Sequence, residues 1–372
     1  MTAYRRPVDA DSLAQNFRVF ADADCASEPL YAALSRAIAD DKDIVDLLLA
    51  APYPQRRPVL LFAAMHDLLL AGVEHPLARF YRSVARDGEV RGDVEHAFPA
   101  FADFCAQQHD ALLASLRERT TQTNEVGRCA GLRLVLAALE NRRPIALIDV
   151  GCSAGLNLLV DRYRFDYHLP DASVCTIGPD SPVVIPAAFE AGAFPSDRGA
   201  MPAIVERSGI DLAPLDVHHA RDARWLRACV WPSDVERHSR LSNAIAFARE
   251  TTLDLHRGDV NDRLIAIVEG LDRDVRPVVF HSWVVSYFDH AARTRFAEAA
   301  RAIVTERDGV WISAEPSGVV PGLDAPALPD DASPARREAT IWHLTTRSAE
   351  GACEVRTMAR THPHCRWIEW LA

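Results

Sequence analysis

The sequence predicts an α/β protein in which a doubly wound, mostly parallel sheet follows a helical N-terminal region. Three observations support this prediction. Apolar residues recur at helical spacing over residues 1–140, and no β-rich run interrupts them. Near residue 144 a short apolar run leads into a glycine turn and a helical segment. Beyond that point strand-like and helical runs alternate, as is typical of parallel sheets covered by helices on both faces.

Five segments of the N-terminal region have the three-to-four spacing of amphipathic helices. They read LYAALSRAIA, DIVDLLLA, RPVLLFAAMHDLLLAG, HPLARFYRSVA and FADFCAQQHDALLASL. Prolines at 52, 54 and 58 separate the second segment from the third, and Gly72 is placed to end the third. We therefore expect residues 1–140 to form a helical region that precedes or caps the sheet.

Residues 141–372 have the pattern of the sheet domain. The run PIALIDV predicts a buried parallel strand, and GCSAG followed by LNLLVDRYR predicts the turn and helix of a βαβ unit. Later strand-like runs read SVCTI, AIVERSGID, TLDLHRGDV, RPVVFHSWVV and GVWISAE. ATIWHLTTRS and CEVRTMARTH, joined by AEGA, predict an antiparallel pair. We expect an insertion at about 165–250, and a surface loop or lid at 316–335.

Composition limits the classes of partner. The chain has 372 residues, 41 basic against 52 acidic, and a net charge of −11, which disfavours a nucleic-acid backbone as ligand. No apolar stretch reaches the roughly 20 residues that cross a bilayer, and the N-terminus lacks the apolar core of a secretory signal. Eight cysteines without a CxxC pair fit reduced thiols. We expect a cytoplasmic protein with a small-molecule partner.

The central motif is DVGCSAGLN, from Asp149 to Asn157. Its glycines allow close backbone approach to a ligand, and a helix N-terminus offers free N–H groups. A dinucleotide site needs a third glycine, which is missing. The G-x-S-x-G of a serine hydrolase matches and would make Ser153 the nucleophile, but helices stand upstream where its oxyanion loop should be. A tight turn without a ligand is the simplest alternative.

The segment IALIDVGCSAGLNLL resembles the first motif of class I S-adenosylmethionine-dependent methyltransferases. The resemblance implies a seven-stranded sheet with an antiparallel last strand, and a loop from Gly151 to Gly155 that wraps the methionyl part of the cofactor. Asp149 would lie near the cofactor's ammonium group, and Asp259 beside the adenine. The residues expected to bind the cofactor are Arg128, Asp149, Gly151, Cys152, Ser153, Gly155, Asn157, Asp211, Asp259, Val260 and His281.

The acid for the ribose hydroxyls has two candidates. By analogy with dinucleotide folds it ends the second strand, roughly 20 residues after the glycine loop. Asp180 lies at that distance. Asp211 lies farther on but ends a more strand-like run, IVERSGID, and we prefer it.

Catalytic candidates follow the strands that the resemblance places fourth and fifth. These are His281, Tyr287 and Glu315. His281 is the expected general base, because an ordinary imidazole accepts protons near neutral pH. The alternative is a buried histidine satisfied by backbone groups. The group His362-Pro-His364-Cys365 lacks a matching second cluster, so we expect no metal site.

The whole chain also resembles an uncharacterised bacterial family, the domain of unknown function 2332. TNEVGR (123–128), GCSAGLNLLVDRYRFDY and WLRACVWPSDVERHSRL support that likeness. Within TNEVGR, either Thr123 or Asn124 caps a helix, or Arg128 binds a carboxylate of cofactor or substrate. We expect a methyltransferase acting on a small molecule. The alternatives are a non-catalytic binding or regulatory protein of the same fold, and a hydrolase using Ser153.

Overall fold

The computed structural model describes residues 9–85, 89–90, 92–140, 143–195, 200–328 and 331–372. The chain divides into two compact units. One comprises Met1–Thr123 and His218–Ser242, and the other Asn124–Val217 and Asn243–Ala372. Residues 218–242, which fall inside the insertion expected at about 165–250, thus fold with the first unit.

The described α-helices, in chain order, are α1 (Ala10–Ala23), α2 (Pro29–Ile38), α3 (Lys42–Leu47), α4 (Pro58–Leu70), α5 (Phe98–Gln107), α6 (His109–Glu118), α7 (Cys129–Ala137), α8 (Ala220–Ala228), α9 (Val235–Ala248), α10 (Val260–Gly270), α11 (His290–Arg307) and α12 (Pro334–Arg337). None of these helices combines the length and apolar character needed to cross a membrane.

The first unit is built around α4. Pro58 stands at the first turn of this helix, where its missing N–H costs nothing. The helix is apolar almost all round and is buried on nearly every side, as expected of a core helix. Phe62 stacks on Tyr31 with ring centroids 4.1 Å apart, and Trp231 packs edge-on against Phe20. Trp225 is buried in the core of the unit, and Trp231 is half-buried against it.

The second unit holds one sheet. Its strands are β1 (Ile145–Val150), β2 (Arg164–His168), β3 (Val174–Ile177), β4 (Val184–Ala191), β5 (Ile204–Asp211), β6 (Asp254–Arg257), β7 (Arg276–Ser282), β8 (Val310–Pro316), β9 (Thr340–Arg347), β10 (Cys353–Thr361) and β11 (Trp367–Trp370). Their spatial order is β3-β2-β4-β11-β10-β9-β8-β7-β1-β5-β6.

The α/β class and the mostly parallel sheet are confirmed. Strands β6, β5, β1, β7 and β8 are adjacent and parallel, and β9 runs antiparallel to both β8 and β10. The expected number of seven strands is wrong, because the described part of the chain forms eleven. The segment between β1 and β5 supplies β2, β3 and β4, which extend the opposite edge. Of these, β4 pairs with β11, β2 with β4, and β3 with β2.

Both faces of the central strands are covered. Every residue of β1 is buried, as its continuous apolar run predicts. On one face Ile148 and Val279 pack with Phe296 of α11 and Trp311 of β8. Across the sheet, Trp342 of β9 lies so close to Gly131 of α7 that a Cβ atom there would stand 2.5 Å from the indole. The packed faces leave the carboxyl ends of β1, β5 and β7 as the place where loops can meet a ligand.

Candidate functional site

The candidate site lies where the order of the strands reverses. From β1 the chain proceeds to β5 and β6 on one side, and then returns to form β7 and β8 on the other. In doubly wound sheets this reversal opens a crevice beyond the carboxyl ends of the strands, where ligands bind. The loops that follow β1 and β7 meet there, because Val284 packs against Gly151.

The glycine loop has an unusual backbone. Gly151 and Gly155 have φ values of +74° and +72°, and Ser153 between them has φ +54°. Glycine adopts such values freely, whereas a residue with a Cβ atom pays on the order of 1–3 kcal/mol, and such residues cluster at functional sites. The expected helix after the loop is 3₁₀ rather than α, over residues 156–162, and it has non-helical angles at Leu159.

The two glycines are also packed by protein. A Cβ atom on Gly151 would collide with Val284, and one on Gly155 would lie 2.9 Å from Leu255 and 3.1 Å from Leu253. Both glycines therefore serve close packing within the chain as well as the turn itself. A ligand at this loop has to use the backbone and the polar side chains around the glycines.

Asn124 holds the glycine loop in place. Its Nδ2 donates to the carbonyl oxygen of Cys152 at 3.2 Å, and its Oδ1 accepts from the N–H of Leu156 at 3.0 Å. This role was not predicted from the sequence, which left two alternatives open for the segment: a helix cap at Thr123 or Asn124, or a carboxylate bound by Arg128. The cap is Glu125, whose Oε1 accepts from the N–H of Gly127 at the start of a short 3₁₀ turn.

Asp149 is the most unusual charged group at the site. Its side chain is buried, and its Oδ2 has no hydrogen-bond partner among the described residues. Burial raises the pKa of this carboxyl well above its usual range, nearby Asp211 raises it further, and Arg128 opposes the shift. A buried carboxyl with a free oxygen can receive a cation or a hydrogen-bond donor.

Asp211 ends β5 directly beside the glycine loop. Its Oδ2 accepts from the N–H of Ser153 at 2.9 Å, and its Oδ1 accepts from the N–H of Ala213 at 2.8 Å. Asp180 follows β3, at the far edge of the sheet. Of the two acids weighed for a ribose, the structure thus brings Asp211 to the site.

The remaining cofactor candidates have local structural roles. Asp259 follows β6 and caps α10, with Oδ1 accepting from the N–H of Asn261 at 2.8 Å. Val260 is buried in the core beneath that helix. Cys152 packs its sulfur against Gly209, and the Oδ1 of Asn157 lies 3.4 Å from the sulfur of Cys129.

Arg128 joins the end of β7 to the loop between β10 and β11. Its Nη1 donates to the carbonyl oxygen of Ser282 at 3.3 Å, and its Nε donates to that of Pro363 at 3.0 Å. The guanidinium carbon lies 6.0 Å from the centre of the Trp283 ring. These contacts are to protein groups, and they position Arg128 where it lowers the pKa of Asp149.

His281 and Glu315 form a buried pair. The His281 Nδ1 lies 3.0 Å from the Glu315 Oε1, and that oxygen also accepts from the N–H groups of Val284 and Val285. The imidazole is fully buried between Phe296 and Trp311. Its Nδ1 is paired with a side chain rather than with the backbone groups expected of a buried histidine, and its Nε2 has no hydrogen-bond partner among the described residues. Enclosure by two aromatic rings favours a packing role for this imidazole over the role of general base. Tyr287, the third candidate, is two-thirds exposed on the loop after β7.

The hydrolase interpretation depends on Ser153. Its positive φ resembles the strained turn that such a nucleophile occupies. However, the Ser153 hydroxyl is buried and has no hydrogen-bond partner within the described ranges, so no histidine there activates it. Across the same ranges, no group of three or more histidine, cysteine or acidic side chains could hold a metal ion.

Comparison with known proteins identifies the family. Residues 14–370 match the family described as an uncharacterized protein conserved in bacteria, DUF2332. No curated protein sequence and no solved structure matches the chain. With nearly its whole length matched, the chain belongs to the DUF2332 family.

Proposed function

We propose that this protein binds S-adenosylmethionine at the carboxyl ends of β1 and β5. The observation that carries the proposal is Asp149, a buried carboxyl with an unpartnered oxygen beside a strained glycine loop at the reversal of strand order. Such a carboxyl needs a cationic or donor partner. The ammonium group of the methionyl moiety has that chemistry, and the motif DVGCSAG is similar to the loop that binds it in class I methyltransferases.

The residues on either side fit the rest of the cofactor. Asp211 has both oxygens committed to backbone N–H groups, which fix its orientation, and each oxygen keeps a lone pair for a ribose hydroxyl. Ser153 offers a hydroxyl without a partner in the described chain. Asp259 follows β6, which pairs with β5, on the side where the adenine would lie. Asp149 and Asp211 together favour a cationic ligand over an anionic one.

We further propose that the bound cofactor serves methyl transfer to a small molecule. The cofactor supplies a methyl group on a sulfonium centre that is open to direct displacement. The chain contributes the position of the acceptor, on the loop after β7, and exclusion of water by Trp283 and Val284. Neither contribution needs His281.

A second candidate is a regulatory protein that binds the cofactor without catalysis. The observation that favours it is the packing of Val284 against Gly151, which closes the two loops on each other. The two candidates share the cofactor and differ in turnover, so one set of measurements separates them.

The test is calorimetric titration of the purified protein with S-adenosylmethionine and S-adenosylhomocysteine, together with native mass spectrometry for co-purified nucleoside. Saturable binding that is lost in Asp149→Ala supports the proposal, and silence from both ligands to millimolar concentration refutes it. Incubation with methyl-labelled cofactor and fractionated bacterial small molecules then decides between transfer and binding alone.

A further inference from the structure

A second carboxylate–histidine pair stands in the same unit, at the end of the sheet where the crevice lies. The Nδ1 atom of His364 lies 3.7 Å from the Oε2 of Glu125. The Glu125 side chain is 1% exposed, whereas that of His364 is 29% exposed. This separation is an ion-pair distance, longer than a hydrogen bond, and contacts between catalytic groups are often long before the substrate binds. A buried acid behind a reachable imidazole is an arrangement that can orient a histidine for proton transfer. In the pair of His281 and Glu315 both side chains are buried, so neither is exposed to a substrate.

The neighbouring His362 fixes the backbone of His364. Its Nδ1 accepts from the N–H of His364 at 2.9 Å, and its carbonyl oxygen accepts from the N–H of Cys365 at 2.8 Å. Burial lowers the pKa of His362 to about 4, and nearby Arg366 lowers it as well. His362 therefore stays neutral at pH 7, so its Nδ1 keeps the lone pair that this turn needs.

The segment Glu125–Arg128 ties this turn to the crevice. Gly127 allows the two segments to approach closely, because a Cβ atom on it would lie 2.8 Å from both the His364 carbonyl oxygen and the Glu125 Oε1. Arg128 bonds Pro363 in the turn and Ser282 at the end of β7. The turn that carries His364 is thus fastened to the start of the loop on which the acceptor would bind.

We infer that His364, backed by Glu125, is the general base of the methyl-acceptor site. The inference rests on the proposed function. As the bond between the sulfonium sulfur and the methyl carbon breaks, sulfur keeps the electron pair and the acceptor's oxygen or nitrogen bonds the methyl carbon. The proton of that oxygen or nitrogen passes to the imidazole of His364 and then to solvent. The acceptor class is therefore a molecule that carries a protonated O–H or N–H nucleophile.

The test is carbethoxylation of histidines by diethyl pyrocarbonate on the full chain, read by peptide mass spectrometry with and without S-adenosylhomocysteine. His96, 82% exposed, serves as the internal reference. We expect His364 to react readily, Glu125→Gln to slow it severalfold, and the nucleoside to slow it again while His96 is unaffected. The isosteric Glu125→Gln keeps an oxygen for the N–H of Gly127, so we expect the variant to fold, which its thermal unfolding checks.

Calorimetry on the same samples separates the two claims. If the nucleoside does not bind, the cofactor proposal fails. The rates of carbethoxylation of His364 in wild type and Glu125→Gln still show whether Glu125 acts on His364. If the nucleoside binds but the rate at His364 changes neither with it nor with Glu125→Gln, the inference is overturned. With a methyl acceptor in hand, His364→Gln should lower kcat by about 10²- to 10⁴-fold while cofactor affinity is retained.

Discussion

Asn124 donates from Nδ2 to the carbonyl oxygen of Cys152, so one amide side chain fixes the start of the loop that follows β1. Its Oδ1 fixes the end of the same loop by accepting from the N–H of Leu156. Three residues later, at Gly127, the same segment leaves room for the turn at 362–365. The short stretch Asn124–Arg128 therefore organises both sides of the candidate site.

Asn124→Ala should loosen the glycine loop. It removes both hydrogen bonds and leaves the N–H of Leu156 without its partner, at a cost of about 1–3 kcal/mol. The carbonyl oxygen of Cys152 still accepts from the N–H of Gly155 at 2.8 Å, so the loss of its bond to Asn124 should cost less. The matched control is Asn243→Ala, which loses one exposed bond to Pro182 and should cost less. Thermal unfolding and amide exchange at Leu156 measure the two effects. Equal melting temperatures and unchanged exchange at Leu156 would contradict this assignment.

Asp149→Asn should lose cofactor and gain stability. The isosteric amide removes a charge that burial disfavours, which is why the carboxyl pKa is raised, so the melting temperature at neutral pH should rise or hold. Without the carboxylate, affinity for S-adenosylhomocysteine should fall at least about tenfold, or 1.4 kcal/mol. Asp254→Asn removes an exposed carboxylate at the start of β6 and serves as the control. A variant that binds normally would exclude Asp149 from the site.

Binding should strengthen as pH rises. The raised pKa means that the free protein holds a proton on Asp149 at pH values where the unfolded chain has lost it. Pairing with an ammonium group favours the carboxylate, so the complex releases that proton. In calorimetry the observed enthalpy should vary with the ionisation enthalpy of the buffer, in the direction of proton release. The dependence should vanish in Asp149→Asn.

The same shift gives a signed prediction for stability. Because the folded-state pKa is raised, the folded chain binds more protons than the unfolded one between the two pKa values. The contribution of Asp149 to the free energy of unfolding therefore falls as pH rises above the usual range of an aspartate, and Asp149→Asn should flatten that part of the profile.

Asp211 and Asp180 provide a direct comparison. Asp211→Asn keeps only one oxygen for the two N–H groups of Ser153 and Ala213, so it should cost about 1–3 kcal/mol and weaken nucleoside binding. Asp180→Asn, at the far edge of the sheet, should change neither quantity. Competition between adenosine and S-adenosylhomocysteine measures the ribose contact separately, because adenosine lacks the amino-acid part. Loss of binding in Asp180→Asn alone would reverse the assignment.

The sequence pattern predicted the central sheet because its information is local. The continuous apolar runs at β1, β7 and β8 require burial on both faces, and only a parallel arrangement under helices provides it. The short connection between β9 and β10 likewise predicted their antiparallel pairing. The edge strands β2, β3 and β4 could not be placed, because they join the sheet only through β4, whose partner β11 follows 179 residues later, as in the pair Ala188 and Trp367.

The site was predictable only in part, for a related reason. The glycine loop and Asp149 lie within a few residues of each other, and Asp211 reads as the acid that ends a strand. The roles of Asn124 and His364 depend on contacts between distant segments, such as Glu125 with the turn at 362–365. For the group at 362–365 we expected no metal site, and its actual role could not be predicted, because sequence does not show that the His362 ring accepts from the backbone N–H of His364.

The last prediction concerns His281 and Glu315. In the structure Glu315 holds the loop after β7 through the N–H groups of Val284 and Val285, while His281 fills space between Phe296 and Trp311. His281→Asn should therefore leave a cavity beside two aromatic rings and lower the melting temperature, with nucleoside affinity unchanged. Glu315→Ala releases the loop that covers Gly151, so it should weaken nucleoside binding as well as stability.

A double-mutant cycle over these two positions should give a coupling of about 0.5–3 kcal/mol, because the side chains are in direct contact. The control is His343→Asn, a buried histidine on the neighbouring strand β9, whose Nε2 is hydrogen-bonded to the Asp324 carbonyl oxygen and not to Glu315. The contrary outcome is specific. If His281→Asn keeps both its melting temperature and its affinity but loses methyl transfer, the imidazole reaches the reacting atoms, and His281 takes the role assigned here to His364.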